Sequence, residues 1–280
     1  MSINIRTNVP SMAAQRNLAA SSSRLNTSFQ RLSSGLRINR AKDDAAGLAI
    51  AESLKADAKI ANVGIRNAND GISIISIADQ AIGQVANVLS RLAELAQQSA
   101  NGVYSTTQRS ALQNEFSALT SEIERIAFTT EFNGLKLLSG GGTVTFQVGF
   151  DGTSTSRVSY TGVAATLADL GLATQGSSAV TYSINAGSSD AAQSASSAAI
   201  TSVTRNRGTL GAAESRLETT ISRMTVAREN FQKAESAIRD ADVAYEAAEL
   251  TRLNILQQAG TAILAQANQQ PQLALQLLGG

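Results

Sequence analysis

The sequence predicts a mainly helical chain, built as a bundle of long coiled-coil helices with paired terminal helices and a small element rich in β-hairpins. Its 280 residues contain only two prolines, Pro10 and Pro271, so helices between them can run long without a break. Aromatic residues make up 4% of the chain and Trp is absent. The core must therefore be aliphatic and rich in Ala, which suits packing of helix on helix.

The third observation is a heptad stripe near the C-terminus. Large apolar residues recur there at every seventh position: Val203, Leu210, Leu217, Met224, Phe231, Ile238 and Tyr245. Small residues, mostly Ala, follow three positions after each. This 3.5-residue period predicts one long coiled-coil helix from about residue 190 that needs partner helices. At Arg252 the stripe breaks, and Leu256 and Ile263 resume it shifted by four.

The two ends of the chain carry shorter stripes. Residues 3–38 read as an amphipathic helix after Pro10, with Leu18, Leu25 and Leu32 spaced by seven. The last residues repeat the pattern with Leu273 and Leu277. Such short helices are marginal alone in water, so we expect them to order only against partners.

Two further helices lie between the ends. The segment 33–47 interrupts the first stripe, and Asp43 and Asp44 there suit the start of the next helix better than metal ligation. A long helix is predicted over 45–98, in which Gly64 and Gly71 mark close packing. A second is predicted over 105–128 and should pack antiparallel to it after a short turn.

The residue pattern changes from helical to β-like after Phe132. The segments TVTFQVGF, RVSY and AVTYSIN alternate or are rich in β-formers, with Gly, Asp and Ser between them. Residues 139–187 are therefore predicted as a small β-rich element. The Ser- and Thr-rich stretch 174–204 is either a solvated loop or a surface that carries glycans.

Composition narrows the possible functions. The chain has no Cys and no His, which removes disulfides, the commonest general base and the usual zinc ligand. We expect no enzyme activity, no metal and no cofactor. The net charge of +1 gives no sign of a nucleic-acid partner. Residues 1–42 carry seven cationic side chains and no acidic one. This segment is either a solvated basic helix face or a segment recognised by a secretion apparatus. No membrane insertion is expected, since no apolar run approaches about 20 residues.

Long motifs make the chain resemble bacterial flagellin, the subunit of the flagellar filament. They include LSSGLRINRAKDDAAGLAIAESL from residue 32, EFNGLKLLSG from 131, RGTLGAAESRL from 207 and ILQQAGTAILAQANQQPQ from 255. The outer variable region of that family is nearly absent, which indicates a minimal form. The resemblance implies an inner terminal domain of residues 1–42 and 243–280, and a rod-like body of residues 43–242.

The resemblance also implies partners. These are further copies in a helical homopolymer, an export chaperone, filament cap and hook-junction proteins, and an extracellular location reached through the flagellar type III channel. The contacts with neighbouring subunits would then involve Leu18, Leu25, Leu32, Leu256, Ile263, Leu273 and Leu277. A host innate immune receptor for flagellin is a further implied partner, through Arg91, Leu95 and Glu115. The alternative for these three residues is that Leu95 packs in the body while Arg91 and Glu115 form a weak surface ion pair.

Three other functions remain to be weighed. A hook-junction protein would share the terminal helices but cap a junction. A soluble coiled-coil adaptor would stay a small oligomer. An enzyme of the kind carried by some flagellins would need two His ligands, which this chain lacks.

Overall fold

The structure is a computed structural model that describes residues 7–140, 142–175, 180–185 and 188–278, with side chains up to residue 270. Its helices are α1 (Val9–Ser34), α2 (Ala45–Ala100), α3 (Thr106–Thr129), α4 (Ser189–Arg239) and α5 (Val243–Leu278). Its strands are β1 (Glu131–Phe132), β2 (Leu135–Lys136), β3 (Thr143–Gln147) and β4 (Arg157–Thr161). The predicted fold class is confirmed.

The chain divides into two compact units. One comprises Met1–Ala56 with Glu229–Gly280, and the other is Asp57–Arg228. We call them the terminal unit and the central unit. The domain boundaries expected at residues 42/43 and 242/243 stay a prediction.

The core of the central unit is aliphatic, as expected. One apolar stripe of α2 is fully buried and meets buried residues of α3, α4 and the β-rich segment. Its α2 members are Ile75, Ala78, Ile82, Val85, Leu89, Leu92 and Ala96. Burial of apolar side chains on this scale is the main stabilising term of the unit.

Gly64 and Gly71 mark the close packing that the sequence predicted. A Cβ built on Gly64 would lie 2.9 Å from the Met224 methyl and 2.9 Å from the carbonyl oxygen of Val148. A Cβ on Gly71 would lie 3.0 Å from a Leu217 methyl. The heptad stripe of α4 therefore packs directly over the two glycines of α2.

Helix α3 begins at a complete capping box. The Ser105 hydroxyl accepts from the amide of Gln108 at 3.3 Å, and the Gln108 side chain accepts from the amide of Ser105 at 2.9 Å. Ser105 is thus the N-cap residue of α3. The box satisfies two amides that the first turn leaves unpaired.

The β-rich segment is smaller than predicted. Strands β3 and β4 pair antiparallel, with Phe146 opposite Val158. Strands β1 and β2 form a second hairpin around Asn133 and Gly134, both with positive φ, which lies before the predicted β-rich element.

The predicted strand at AVTYSIN is wrong over its described residues. Val180 makes one isolated bridge to Ala173, and residues 181–185 form no strand. Side chains hold this segment instead. The side-chain oxygen of Gln113 accepts from the Ile184 amide at 2.7 Å, and the Ser99 hydroxyl donates to the Ile184 carbonyl. These bonds satisfy the backbone without a neighbouring strand.

Helix α2 is long and apolar enough to cross a membrane by length and composition alone. This qualifies the expectation from the sequence, which found no such segment. Its apolar residues between Ala68 and Ala96 are the buried stripe of the central core. The same helix exposes charged residues such as Lys59, Arg66 and Asp70, so its surface is amphipathic rather than apolar all round.

The single helix predicted from residue 190 to the C-terminal region is also wrong. The chain leaves helical geometry at Asp240–Asp242, between α4 and α5. The Ala241 amide donates to the carbonyl oxygen of Gly35 at 2.9 Å, and the Arg37 amide donates to that of Arg239 at 2.7 Å. The break after α1 and the break after α4 thus satisfy each other's backbone groups.

Candidate assembly surfaces

The terminal unit is built on an antiparallel pair of helices, α1 and α5. At one end the Ser11 hydroxyl donates to the Asn268 side-chain oxygen at 2.7 Å. At the other end the Ser28 hydroxyl donates to the Glu246 carboxylate. Low-numbered residues of α1 therefore meet high-numbered residues of α5. The structure thus pairs the two terminal helices, as the sequence predicted.

Helix α1 has defined ends. The Asn8 side chain accepts from the Ser11 amide at 3.1 Å, and Pro10 occupies the first turn, where its missing N–H costs nothing. Gly35 ends the helix with φ near 70°, a conformation that favours glycine. The other side of the Asn8 amide donates to the Ala267 carbonyl at 2.8 Å, so the cap is also tied to α5.

The inner face of α5 follows a heptad column of its own. Leu253 and Ala267 are buried, and Gly260 lies so close to α1 that a Cβ there would meet a Leu18 methyl at 3.2 Å. Leu18, Leu25 and Leu32 on α1 are half-buried. The three leucines thus lie on the face of α1 that meets α5 within one chain.

The outer face of α5 carries large apolar residues in contact with solvent. Ile255 is 60% exposed, Leu256 is 43% exposed and Ile263 is 58% exposed. Leu256 and Ile263 are two of the residues predicted to contact neighbouring subunits, and they point away from α1 in the isolated chain. The predicted Leu273 and Leu277 lie on the described backbone of α5 but outside the described side chains.

The heptad stripe of α4 divides into three parts. Val203, Leu210, Leu217 and Met224 are buried in the central unit. Phe231 and Ile238 are half-buried in the terminal unit. Tyr245, the last predicted member, is 66% exposed on α5.

Tyr245 turns outward because the break at Asp240–Asp242 shifts the heptad phase by one residue. The inner column of α5 is Glu246, Leu253, Gly260 and Ala267, and it does not include Tyr245 or Arg252. The stutter that the sequence placed at Arg252 is therefore wrong. Arg252 lies on the exposed surface, where it pairs with Glu249 one turn away.

The linker between α1 and α2 uses its aspartates for local capping. Asp44 accepts from the Gly47 amide at 2.9 Å and starts α2. Asp43 accepts from the amides of Asn39 and Arg40, and the Arg40 amide holds the pKa of Asp43 below its ordinary value. Helix-start chemistry was the favoured reading of this pair. Among the described residues, no group of three or more Asp and Glu side chains is placed to hold a metal ion.

Sequence reasoning missed the buried carboxylate of Glu246. Its side chain is 6% exposed, and it accepts from Ser28 and from Arg31 Nη1 at 3.0 Å. The signal was available, because Glu246 lies seven residues before Leu253 in the inner column. The signal was hidden because the heptad phase of α4 does not continue across the break.

The three residues of the expected receptor patch do not share one surface. Arg91 and Glu115 form a two-bond ion pair between α2 and α3, at 2.8 and 3.0 Å, and both are about half-exposed. Glu115 is also the main cause of a raised pKa for Arg91. Leu95, however, is completely buried in the core. Its assignment as a contact residue is wrong, because neighbouring side chains already surround it.

Comparison with known proteins identifies the family of the chain. Residues 5–143 match the bacterial flagellin N-terminal helical region, and residues 193–278 match the bacterial flagellin C-terminal helical region. A flagellin of Halalkalibacterium halodurans is 44% identical over 275 residues, which is 98% of this chain and 99% of the relative. The flagellar filament 33 kDa core protein of Treponema phagedenis is 40% identical over 285 residues, covering 98% of this chain and 99% of the relative.

A longer relative shows what the chain lacks. The B-type flagellin of Pseudomonas aeruginosa is 51% identical over 160 residues, which is 57% of this chain but only 33% of the relative. The chain is therefore much shorter than this relative, as expected of a minimal form, and about as long as the first two. It is a structural protein of the flagellar filament rather than an enzyme, and it belongs to the bacterial flagellin family.

Proposed function

We propose that the chain leaves the cell unfolded through the flagellar type III channel and assembles outside it, with the outer face of α5 contacting neighbouring copies. One observation carries the assembly step: Ile255, Leu256 and Ile263 remain exposed although α1 already covers the inner face of the same helix. Exposed apolar residues on one helix face favour an interaction surface. Their burial between copies offsets the entropy of ordering the terminal helices.

The proposed route of export fits the composition of the chain. It has no Cys, so no disulfide can trap a folded form before export. Helix α1 buries little of its own surface, since Ser11 and Ser28 are its only buried residues. We assign the export chaperone, the filament cap and the hook-junction proteins as partners on the basis of family membership.

The proposed division of labour assigns assembly to residues 1–42 and 243–280 and the rod-like body to residues 43–242. The terminal helices would form the inner contacts of the filament, and Leu18, Leu25, Leu32, Leu273 and Leu277 would contribute to them. The central unit has its own closed aliphatic core, which supports its role as a separately stable body.

Seeded growth tests the assembly surface. The double substitution of Leu256→Ser with Ile263→Ser should stop elongation from filament fragments, because it removes the exposed apolar face. The expected loss is at least about tenfold in elongation rate, since burial of each such side chain contributes roughly 1.5–3 kcal/mol. Growth is followed by light scattering and electron microscopy.

Gln258→Ser is the matched control, because Gln258 is exposed on the same helix but polar. It should elongate normally. Normal growth of the double variant would contradict the proposed role of this face, while persistence of the unaltered chain as a small oligomer would favour the adaptor hypothesis.

We also propose recognition of the unassembled chain by the innate immune flagellin receptor through Arg91 and Glu115. Their exposure and the local resemblance of RLAEL and QNEF to the family's patch support this assignment. Leu95 would act only indirectly, by holding α2 in the core.

A further inference from the structure

One face of α4 carries three arginines in a straight row. Arg205, Arg216 and Arg223 are eleven and seven residues apart, which places them within about 20° of one line along the helix. At about 1.5 Å per residue the row is about 27 Å long. The helix therefore presents positive charge along a line rather than at a single point.

The row lies in the central unit, beside strand β4. An open cavity of about 640 Å³ lies between α4 and residues 159–164, and Arg205 and Arg216 line it. A second cavity of about 340 Å³ lies between α4 and residues 155–158, and Arg216 and Arg223 line it. Because Arg216 lines both cavities, they are neighbours and form one groove, which we call the α4–β4 groove.

The three arginines have no partner of their own. Within the described part of the chain, Arg205, Arg216 and Arg223 make no ion pair and no side-chain hydrogen bond. Their neighbours three and four positions away are Ala, Gly, Ser, Thr or Val, so α4 offers them no acid at the usual helical spacing. By contrast, Arg207 on another face of α4 pairs with Asp79 at 2.9 Å.

Positive charge dominates the whole groove. Arg157 on β4 adds a fourth cation. Asp169 is the one carboxylate among the described lining residues, and the Thr166 hydroxyl already donates to it. Glu214 and Glu218 lie on the opposite side of α4 from the row. A cleft lined by one sign of charge attracts ligands of the other sign, so the groove favours an anion.

Hydroxyl groups complete the lining. The side-chain hydroxyls of Ser159, Thr161 and Ser202 line the larger cavity and make no hydrogen bond within the described part of the chain. Each of them can donate one hydrogen bond and accept others. Arginine recognises carboxylates through paired N–H groups. The groove therefore fits a ligand that repeats carboxylate and hydroxyl groups along a line.

The same lining disfavours two other kinds of linear anion. Single-stranded nucleic acids bind through bases stacked on aromatic rings, but Tyr160 is the only aromatic residue among the described lining residues and is 3% exposed. Docked peptides place side chains in apolar pockets. The valines of the lining are 2–7% exposed, so they offer little apolar surface to such a peptide.

We propose that the α4–β4 groove binds a linear acidic polysaccharide, with its uronic acid carboxylates paired to the arginines and its hydroxyls bonded to the Ser and Thr side chains. This binding is separate from assembly, because the groove belongs to the central unit and the proposed contacts between copies lie on α5. A second copy of the chain is a poorer match. Many of its exposed carboxylates, such as Asp79, Glu115 and Glu122, are already paired within their own chain.

Fluorescence anisotropy with labelled oligogalacturonate tests the proposal on the soluble full-length chain near physiological ionic strength. The unaltered chain should bind this probe and should not bind a neutral dextran of similar length. Arg216→Gln should weaken binding by roughly fivefold or more, because Arg216 lines both cavities. Affinity should rise with the length of the oligomer until it spans the row of about 27 Å.

Arg207→Gln is the matched control, because Arg207 is an exposed arginine of the same helix that lies outside the groove. It should bind the probe as the unaltered chain does. Circular dichroism and urea unfolding of both variants separate a loss of binding from a loss of folding, and neither substitution removes a buried side chain.

Several results would overturn the inference. The unaltered chain would fail to bind oligogalacturonate, Arg207→Gln would weaken binding as much as Arg216→Gln, or polyglutamate or single-stranded DNA would bind at least as tightly as the polysaccharide. Self-association of the soluble chain that Arg216→Gln reduces would assign the groove to a second copy instead. Filament growth is scored separately by microscopy, so a failure to polymerise would count against the proposed function and not against the groove.

Discussion

At the scale of single residues, the packing role of two glycines could be predicted from the sequence, whereas the burial of one leucine could not. Gly64 and Gly71 were predictable as contact points, because a helix interior tolerates glycine only where something requires it. The burial of Leu95's neighbours in α2 was predictable from their three- and four-residue spacing.

 The burial of Leu95 itself was not predictable, because the family resemblance implied an exposed contact residue whereas its helix position allowed packing in the core. The structure buries Leu95 completely.

Substitution of single glycines tests the packing of α4 over α2. Gly64→Ala should lower the free energy of unfolding by about 1–3 kcal/mol, because its Cβ would meet a backbone carbonyl that cannot rotate away. Gly83→Ala is the matched control: no described atom lies within 4 Å of a Cβ there, so the change should stabilise the helix by up to about 1 kcal/mol. Urea titration measures both, and equal effects at the two positions would refute the close-packing interpretation.

Arg91 and Glu115 lend themselves to a test of receptor recognition. Glu115→Ala should weaken signalling by the depolymerised chain several-fold while leaving its stability nearly unchanged, because an exposed ion pair contributes only about 0–1 kcal/mol. Leu95→Ala should instead lower stability by roughly 2–5 kcal/mol, since Leu95 is fully buried. Unchanged signalling in Glu115→Ala, measured in a receptor reporter assay, would contradict the proposed receptor contact.

At the scale of elements, helix starts were easier to predict than helix phase. Ser105 and Asp44 could be recognised as caps because short polar side chains before an apolar stripe have a local cause. The break at Asp240–Asp242 depends instead on pairing with Gly35 and Arg37, about 200 residues away in the chain, so no local signal specified it. The strand prediction after Val180 failed for the same reason, because this segment bonds to Ser99 and Gln113, which are distant in the sequence.

The capping box of α3 gives a prediction at this scale. Ser105→Ala should destabilise the central unit by about 1 kcal/mol, because the Gln108 amide loses its acceptor at the helix start. Thr106→Ala is the control, since Thr106 is the next residue along the chain and its side chain takes no part in the box. A thermal or urea transition that shifts equally in both variants would show that the box contributes nothing specific.

At the scale of the whole molecule, the two units perform different tasks. The central unit closes an aliphatic core, whereas the terminal unit leaves apolar residues of α5 exposed. Composition predicted the first property, because a chain rich in Ala and poor in aromatic residues favours helix packing. The second needed the structure, because the sequence does not show which of two apolar faces of one helix its own chain covers.

Seeded growth of a truncated chain tests the central claim most directly. A chain limited to residues 43–242 should remain helical by circular dichroism, unfold cooperatively and add nothing to filament fragments, while the full-length chain elongates them under the same conditions. Elongation of the truncated chain into normal filaments, seen by electron microscopy, would contradict the assignment of assembly to the terminal helices.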